Sequence, residues 1–274
     1  MLEFPEVMAR AAQLEKEVAG KKVTAVLPPN KSHKFCWFNG APNLYEERIK
    51  DRRIESVSGF GIFVEILFDN GERLAVNDGV NVRFTDSTKL PKTYQLLIIF
   101  DDQTALSFTV AMYGGIILHH GDYDNEYYEK SLHAVSPLSE EFSAYYDRIL
   151  AEGKPNLSAK AFLATEQRFP GIGNGVVQDI LFEAGIHPKR KLNTLSQDDI
   201  IKLKESIVTV LEEMLKAGGR DTEKDIYGEN CGYQTKMSKN SLTKGCPMCG
   251  GEITKEAYLG GSVYYCPKCQ PLIK

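Results

Sequence analysis

Apolar residues first recur at helical spacing between Pro5 and Val18. There Val7, Met8, Ala11, Leu14 and Val18 share one face, and Gly20 supplies a stop. From Lys21 onward the strand signals take over. Lys21–Leu27, Arg52–Ser58, Phe60–Phe68, Leu74–Asn77, Tyr94–Phe100, Ala105–Val110 and Ile116–Leu118 read as members of a set of roughly eight strands. Asn70-Gly71 between two of them is a strong hairpin signal. That many short strands predict a β-sandwich or barrel. The pattern then lapses. His119-His120-Gly121 to Ser131 is polar and tyrosine-rich, so it reads as a linker with surface histidines. Helical spacing returns over Ser139–Leu150, Ser158–Thr165, Val176–Ala184 and Ser196–Lys216. The last of these has Ser196 as N-cap, Asp198 and Asp199 in its first turn, and Gly218-Gly219 at its end. Arg220 to Lys244 is charged and loop-like.

The chain is organised around Arg168–Pro188. Gly171 and Gly173 bracket one apolar residue, and Asn174 stands where an N-cap belongs. Val176, Val177, Ile180, Leu181 and Ala184 then make a helix that Gly185 is placed to end in a left-handed cap. Helix, tight glycine turn, helix is the result. Such a turn aims the backbone N–H groups of a helix start outward, which suits a phosphate. On spacing alone, an ordinary helix–turn–helix hairpin is the stronger reading.

Composition changes the picture little. Of 274 residues, 42% are apolar and 26% charged, as in ordinary globular proteins with room for about two domains. No signal peptide is recognisable, and no apolar run approaches the ~18 residues of a membrane span, so a soluble cytoplasmic chain is expected. Charge is uneven. Residues 151–274 hold 17 Lys+Arg against 15 Asp+Glu, which leaves 16 against 22 in the first 150, or about +2 and −6. The overall acidity, with a pI near 5.8, runs against the basic footprint of a nucleic-acid binder.

The cysteines are more decisive. Cys246-Pro-Met-Cys249 and Cys266-Pro-Lys-Cys269 are separated by sixteen residues, a spacing that suits one structural Zn2+ held by four thiolates. Two disulfides are the alternative, disfavoured where no secretory signal exists. A segment this small needs the metal for its folding energy. Cys36, between Phe35 and Trp37, reads as core.

Glu3 before Pro5-Glu6-Val7, the β-rich first half, Gly171-Ile-Gly-Asn174, Gly185-Ile-His-Pro188 and the closing four-cysteine finger occur in one order along the chain. This arrangement resembles the formamidopyrimidine-DNA glycosylase/endonuclease VIII family of base-excision repair enzymes. The resemblance implies an α+β fold. An N-terminal β-sandwich with a flanking helix would occupy 1–121 and a hinge 122–135. A helix–two-turns–helix DNA-binding domain would follow over 136–237, then a β-hairpin zinc finger over 238–274. It further implies a monomer acting on double-stranded DNA that carries a damaged base or abasic site, in a cytoplasmic, nucleoid-associated setting with no membrane partner. The enzyme would extrude the base, at an unstacking cost that is lowest for damaged bases. By position, Glu3 and Glu6 fall at the catalytic terminus, Asn174, Gly173 and Lys160 at the phosphates, and Cys246, Cys249, Cys266 and Cys269 at the zinc. Lys160 also reads as a solvated helix lysine.

The chain departs from the family where lyase chemistry resides. The family's nucleophilic proline is replaced by Leu2. A bulky second residue hinders removal of Met1, whose primary amine, with a pKa of about 8, then becomes the alternative nucleophile. The family's hairpin lysine falls on Ile62 and the finger arginine on Gly261. The methionine that fills the hole in the helix falls on Val80, and Met112 or Tyr113, from Val110-Ala-Met-Tyr-Gly-Gly115, stands either as the replacement wedge or as a side chain that merely packs. Strand cleavage is therefore expected to be weak or absent, with Glu3 central to base removal. Two other readings stay open: a non-catalytic damaged-DNA-binding protein on the same fold, and a zinc-finger protein that binds RNA or another protein.

Overall fold

The computed structural model describes residues 2–273. They fall into two compact units, one up to Leu132 together with Glu223–Cys231, the other His133–Thr222 together with Gly232 onward.

The first unit opens with α1 (Phe4–Val18). Its Val7, Ala11, Leu14 and Val18 are buried in the main core, as their spacing predicts. Nine strands follow: β1 (Val23–Leu27), β2 (Cys36–Phe38), β3 (Ile54–Phe60), β4 (Phe63–Phe68), β5 (Arg73–Asn77), β6 (Val80–Asp86), β7 (Leu96–Phe100), β8 (Thr104–Val110) and β9 (Gly114–His119), with the short helix α2 (Tyr45–Ile49) between β2 and β3. They build a four-stranded sheet, order β1-β7-β8-β6, and a five-stranded sheet, order β2-β9-β5-β4-β3. Side chains of both sheets, Val82, Ile98 and Phe108 from one and Val64, Ile66 and Leu118 from the other, share one core. The expected sandwich is observed. Asn70-Gly71 turns β4 into β5, with Gly71 at φ +83°, a conformation that glycine adopts without strain.

Three details differ from the periodicity. The supposed linker holds a helix, α3 (Glu126–Leu132), whose Tyr128 packs with Phe63, Ala75 and Ile117 on the outer face of the five-stranded sheet. That second covered face explains why β4 is an almost unbroken apolar run. His119, expected at the surface, is 1% exposed, and its Nε2 lies 3.3 Å from Glu65 Oε2. Strands β2 and β6 were not anticipated, although Val80, Val82 and Phe84 alternate clearly.

The second unit holds α4 (Phe142–Glu152), α5 (Ala159–Ala164), α6 (Val176–Ala184) and α7 (Gln197–Lys216), then the hairpin β10 (Thr254–Tyr258) and β11 (Gly261–Tyr265). Helix α4 begins at Phe142, three residues later than its pattern suggests. Gly185 has φ +69° and caps α6 as expected. Ser196 and Asp199 form a capping box on α7. The N-cap of α6 is a correction. It is Gly175, with no side-chain bond, because the Asn174 side chain is engaged elsewhere.

Candidate nucleic-acid interface

In the second unit the glycine turn and the cysteine hairpin are joined. Asn174 Nδ2 donates to the Ser262 carbonyl at 3.2 Å. Gln178 Nε2 donates to that carbonyl and to the Asn174 carbonyl, both at 2.9 Å, and Gln178 Oε1 accepts from Tyr264 N–H at 3.1 Å. Lys160, expected on a solvated face if not at a phosphate, is 2% exposed. Its Nζ donates to the Tyr258 carbonyl at 2.7 Å, and burial pushes its pKa down. Gly173 sits in the turn, where its carbonyl accepts Val177 N–H. The side chains of Asn174 and Lys160 thus converge on one hairpin, 258–262.

Gly261 belongs to the same arrangement. A Cβ there would lie 3.0 Å from Asn174 Oδ1 and 3.1 Å from its Nδ2, closer than side chains ordinarily approach. The space that a side chain at position 261 would take is therefore filled by the Asn174 amide. Gln178 was missed by sequence reasoning. Its signal was present, since Gln178 and Asp179 are polar residues set between the apolar Val176-Val177 and Ile180-Leu181 of the helix, and both are buried. Asp179 accepts the backbone N–H groups of Lys236 and Met237 at 2.8 and 2.7 Å.

The four cysteine sulfurs lie within 4.8 Å of one another. Cys246 and Cys269 are 3.7 Å apart and Cys249 and Cys266 3.5 Å, far from the ~2.05 Å of a disulfide. A tetrahedron with ~2.3 Å metal–sulfur bonds has edges of about 3.8 Å, so the four thiols fit one metal ion. Phe182 of α6 packs with Cys246, Cys266, Ile253 and Met237, which seats the finger on the helix after the glycine turn.

The first unit gathers the residues of the chain start. Met1 lies outside the described residues. Leu2 is 2% exposed within the main core, and its backbone N–H donates to the Asp78 carbonyl at 2.7 Å. Glu3 and Glu6 are buried, with Glu3 N–H donating to Glu6 Oε2 at 3.3 Å. Burial pushes the Asp78 carboxyl up. Tyr113 is shifted up by burial and then by the charges of Asp78 and Glu3. Arg10 is 3% exposed. Its Nη2 donates to the Lys224 carbonyl at 2.7 Å, while its Nε is buried without a partner among the described residues. Arg10, Asp78, Asn81, Met112 and Glu223 border a cavity of about 130 Å³.

The remaining positions of interest separate cleanly. Val80 is buried in the core and presents no wedge, whereas Met112 is 66% exposed. Ile62 packs in the apolar cluster around Tyr128. Its neighbour Gly61, at φ +52°, lies so close to Ser131 of α3 that a Cβ would come within 2.4 Å of the serine Cβ.

Residues 134–225 match the family model described as the formamidopyrimidine-DNA glycosylase H2TH domain. The chain is 38% identical over 148 residues to a formamidopyrimidine-DNA glycosylase of Prochlorococcus marinus (strain MIT 9215), covering 52% of this chain and 50% of the relative. Over 278 residues it is 27% identical to one from an Exiguobacterium species, covering 98% and 99%. The chain thus spans about half the length of the Prochlorococcus relative. Among solved structures it is similar to the MutM (Fpg) protein of Thermus thermophilus, with TM-score 0.80, 21% identity and 99% and 100% coverage. It is also similar to the Lactococcus lactis Fpg in complex with abasic-site DNA, with TM-score 0.82, 21% identity and 98% and 99% coverage. At these identities the two structures establish the shared fold.

Proposed function

The chain belongs to the formamidopyrimidine-DNA glycosylase/endonuclease VIII family, and from that premise we propose that it is a DNA glycosylase of base-excision repair. In this reading it binds double-stranded DNA with a damaged base or abasic site and removes the base by hydrolysis, with lyase activity weakened or lost. The carrying observation is the hydrogen-bonded union of Asn174, Gln178 and Lys160 with the hairpin carbonyls of Tyr258 and Ser262. One N–H of the Asn174 amide is committed to Ser262. Its second N–H and the two remaining ammonium protons of Lys160 are the donors assigned to a phosphate. The metal assigned to the four cysteines is Zn2+, whose role is to hold the hairpin rigid.

Hydrolysis breaks the C1′–N bond, puts the oxygen of water on C1′ and sends the proton away with the base. Glu3 is the residue assigned to that water or to the sugar, and Glu6 orients the Glu3 backbone. Support for weak lyase chemistry comes from three positions. The Leu2 nitrogen is spent on Asp78, Ile62 is packed among apolar side chains, and Gly261 has no charge to offer. These same facts support a second reading, a damage-binding protein without catalysis.

A panel of lesion-bearing duplexes separates the two. Release of free base that is lost in Glu3→Gln, without a borohydride-trapped adduct, supports hydrolysis. A trapped adduct restores an amine nucleophile, with Met1 the residue proposed. Binding of every duplex with no base released, and no change in Glu3→Gln, leaves the non-catalytic reading.

A further inference from the structure

The first unit carries an exposed aromatic and thioether patch centred on Trp37. On β2, Cys36 and Phe38 face inward and pack on the core. The strand's period of two therefore turns Phe35 and Trp37 outward, and they are 48% and 52% exposed. Strand β2 is an edge strand paired in parallel with β9. Gly114 N–H donates to the Phe35 carbonyl at 3.0 Å, which brings the β8–β9 turn alongside. That turn supplies Tyr113, its ring centroid 6.3 Å from that of Trp37, and Met112.

Charge says what covers the patch. Between Val18 and Tyr45 the chain has Lys21, Lys22, Lys31, Lys34 and His33 and no acidic residue, in a half whose net charge is about −6. Lys21 and Lys22 pair with Asp102 and Asp51. Lys31 and Lys34 have no acidic partner among the described residues, and Lys34 Nζ stands 5.3 Å from the centre of the Phe35 ring. Cations interleaved with exposed rings match a single strand of nucleic acid, in which every base offers a π-face and every link a phosphate. A second protein chain would match the uncompensated lysines only where it happened to present carboxylates, whereas every link of a nucleic-acid strand carries a charge beside a ring.

We propose that Phe35, Trp37, Met112 and Tyr113 form a stacking platform for unpaired bases, with Lys31 and Lys34 on the adjoining phosphates. Resting on the glycosylase reading above, this names the substrate class: lesions held in opened, locally single-stranded DNA. Fully paired duplex is the poorer substrate because its bases are already stacked on one another.

Trp37 is the sole tryptophan, so its emission reports the platform directly. The metal-loaded full chain is titrated with oligodeoxythymidylate, with a duplex carrying an unpaired bubble, and with the same duplex fully paired. Anisotropy of a dye on each DNA gives binding independently. Stacking predicts that the first two DNAs quench Trp37 more strongly than the paired duplex. Trp37→Ala should weaken oligodeoxythymidylate binding about tenfold, from the usual worth of one stacked base. Trp37→Phe should retain affinity within about threefold, because a ring remains. Lys34→Gln should weaken binding and lower its salt dependence. Binding of oligodeoxythymidylate with Trp37 emission unmoved, or with full affinity in Trp37→Ala, overturns the platform while leaving the glycosylase reading in place. A concentration-dependent blue shift without DNA makes a second copy of the chain the occupant and overturns it too. If none of the three DNAs binds, both readings fall together.

Discussion

Leu2 and Gly261 are the two residues whose surroundings bear most directly on the chemistry. Leu2 puts its side chain into the core and its N–H on Asp78. Leu2→Pro removes both buried methyl groups of the leucine and, with Met1 still attached, that donor as well. It is expected to destabilise the first unit by about 2–4 kcal/mol, read as a lower urea midpoint, and not to create a borohydride-trappable enzyme. Gly261 leaves the space that the Asn174 amide fills. Gly261→Ala should push Asn174 off Ser262 and weaken DNA binding by about 1 kcal/mol, roughly fivefold, with folding little changed because the hairpin surface there is only partly buried. Unaltered affinity in Gly261→Ala would mean that the amide is not positioned for a phosphate.

At the scale of elements, α3 is tied to the sheet through a buried carboxylate. Glu65 is 2% exposed and accepts from Tyr128 Oη at 2.5 Å and Arg73 Nη1 at 2.7 Å, with His119 Nε2 at 3.3 Å. Burial alone raises a carboxyl, but here the His119, Tyr128 and Arg73 hydrogen bonds outweigh it and hold Glu65 below its ordinary value of 4.5. A carboxyl depressed in the folded state favours folding above its unfolded value. Its contribution is lost as pH falls through the folded one. Tyr128→Phe removes one donor and narrows that gap. Stability near pH 7 should fall by about 1–2 kcal/mol, and the acid-unfolding midpoint followed by circular dichroism should move to higher pH. The hairpin β10–β11 depends on a different tie. Few apolar side chains underlie it beyond Phe182, Met237 and Ile253, so metal removal by a chelator, or Cys266→Ser, should melt the finger and abolish DNA binding while the β-sandwich signal persists. One metal ion per chain in native mass spectrometry is the matching count.

For the molecule as a whole, the proposed function requires an acidic chain to bind a polyanion through local donors. No helix among the described residues is long and apolar enough to cross a membrane, and residues 151–274 are only about +2. The salt dependence should accordingly be shallow. A slope of roughly 3 to 4 in the logarithm of affinity against the logarithm of salt corresponds to about four phosphates neutralised on duplex DNA. A slope near 10 would demand a basic surface that this composition does not supply.

Local chemistry made several features legible in advance. The cysteine spacing encodes the four-thiol cluster because four thiols on two short turns meet wherever a hairpin joins them, and Gly185 and Ser196 mark helix ends by backbone preference alone. The residues at positions 2, 62 and 261 were visible as departures from the pattern that the resemblance implies. What those departures mean was decided by tertiary contacts. Nothing in the spacing tells that Asn174 leaves its cap position for a carbonyl 88 residues away, that Lys160 is buried, or that a tyrosine of the apparent linker closes over Glu65. Periodicity reports which face of an element is apolar, whereas a polar side chain's partner depends on which distant backbone arrives beside it. The same limit applies to Trp37. Its strand is three residues long, too short to show a period, and only the pairing with β9 reveals that the ring points outward beside Tyr113.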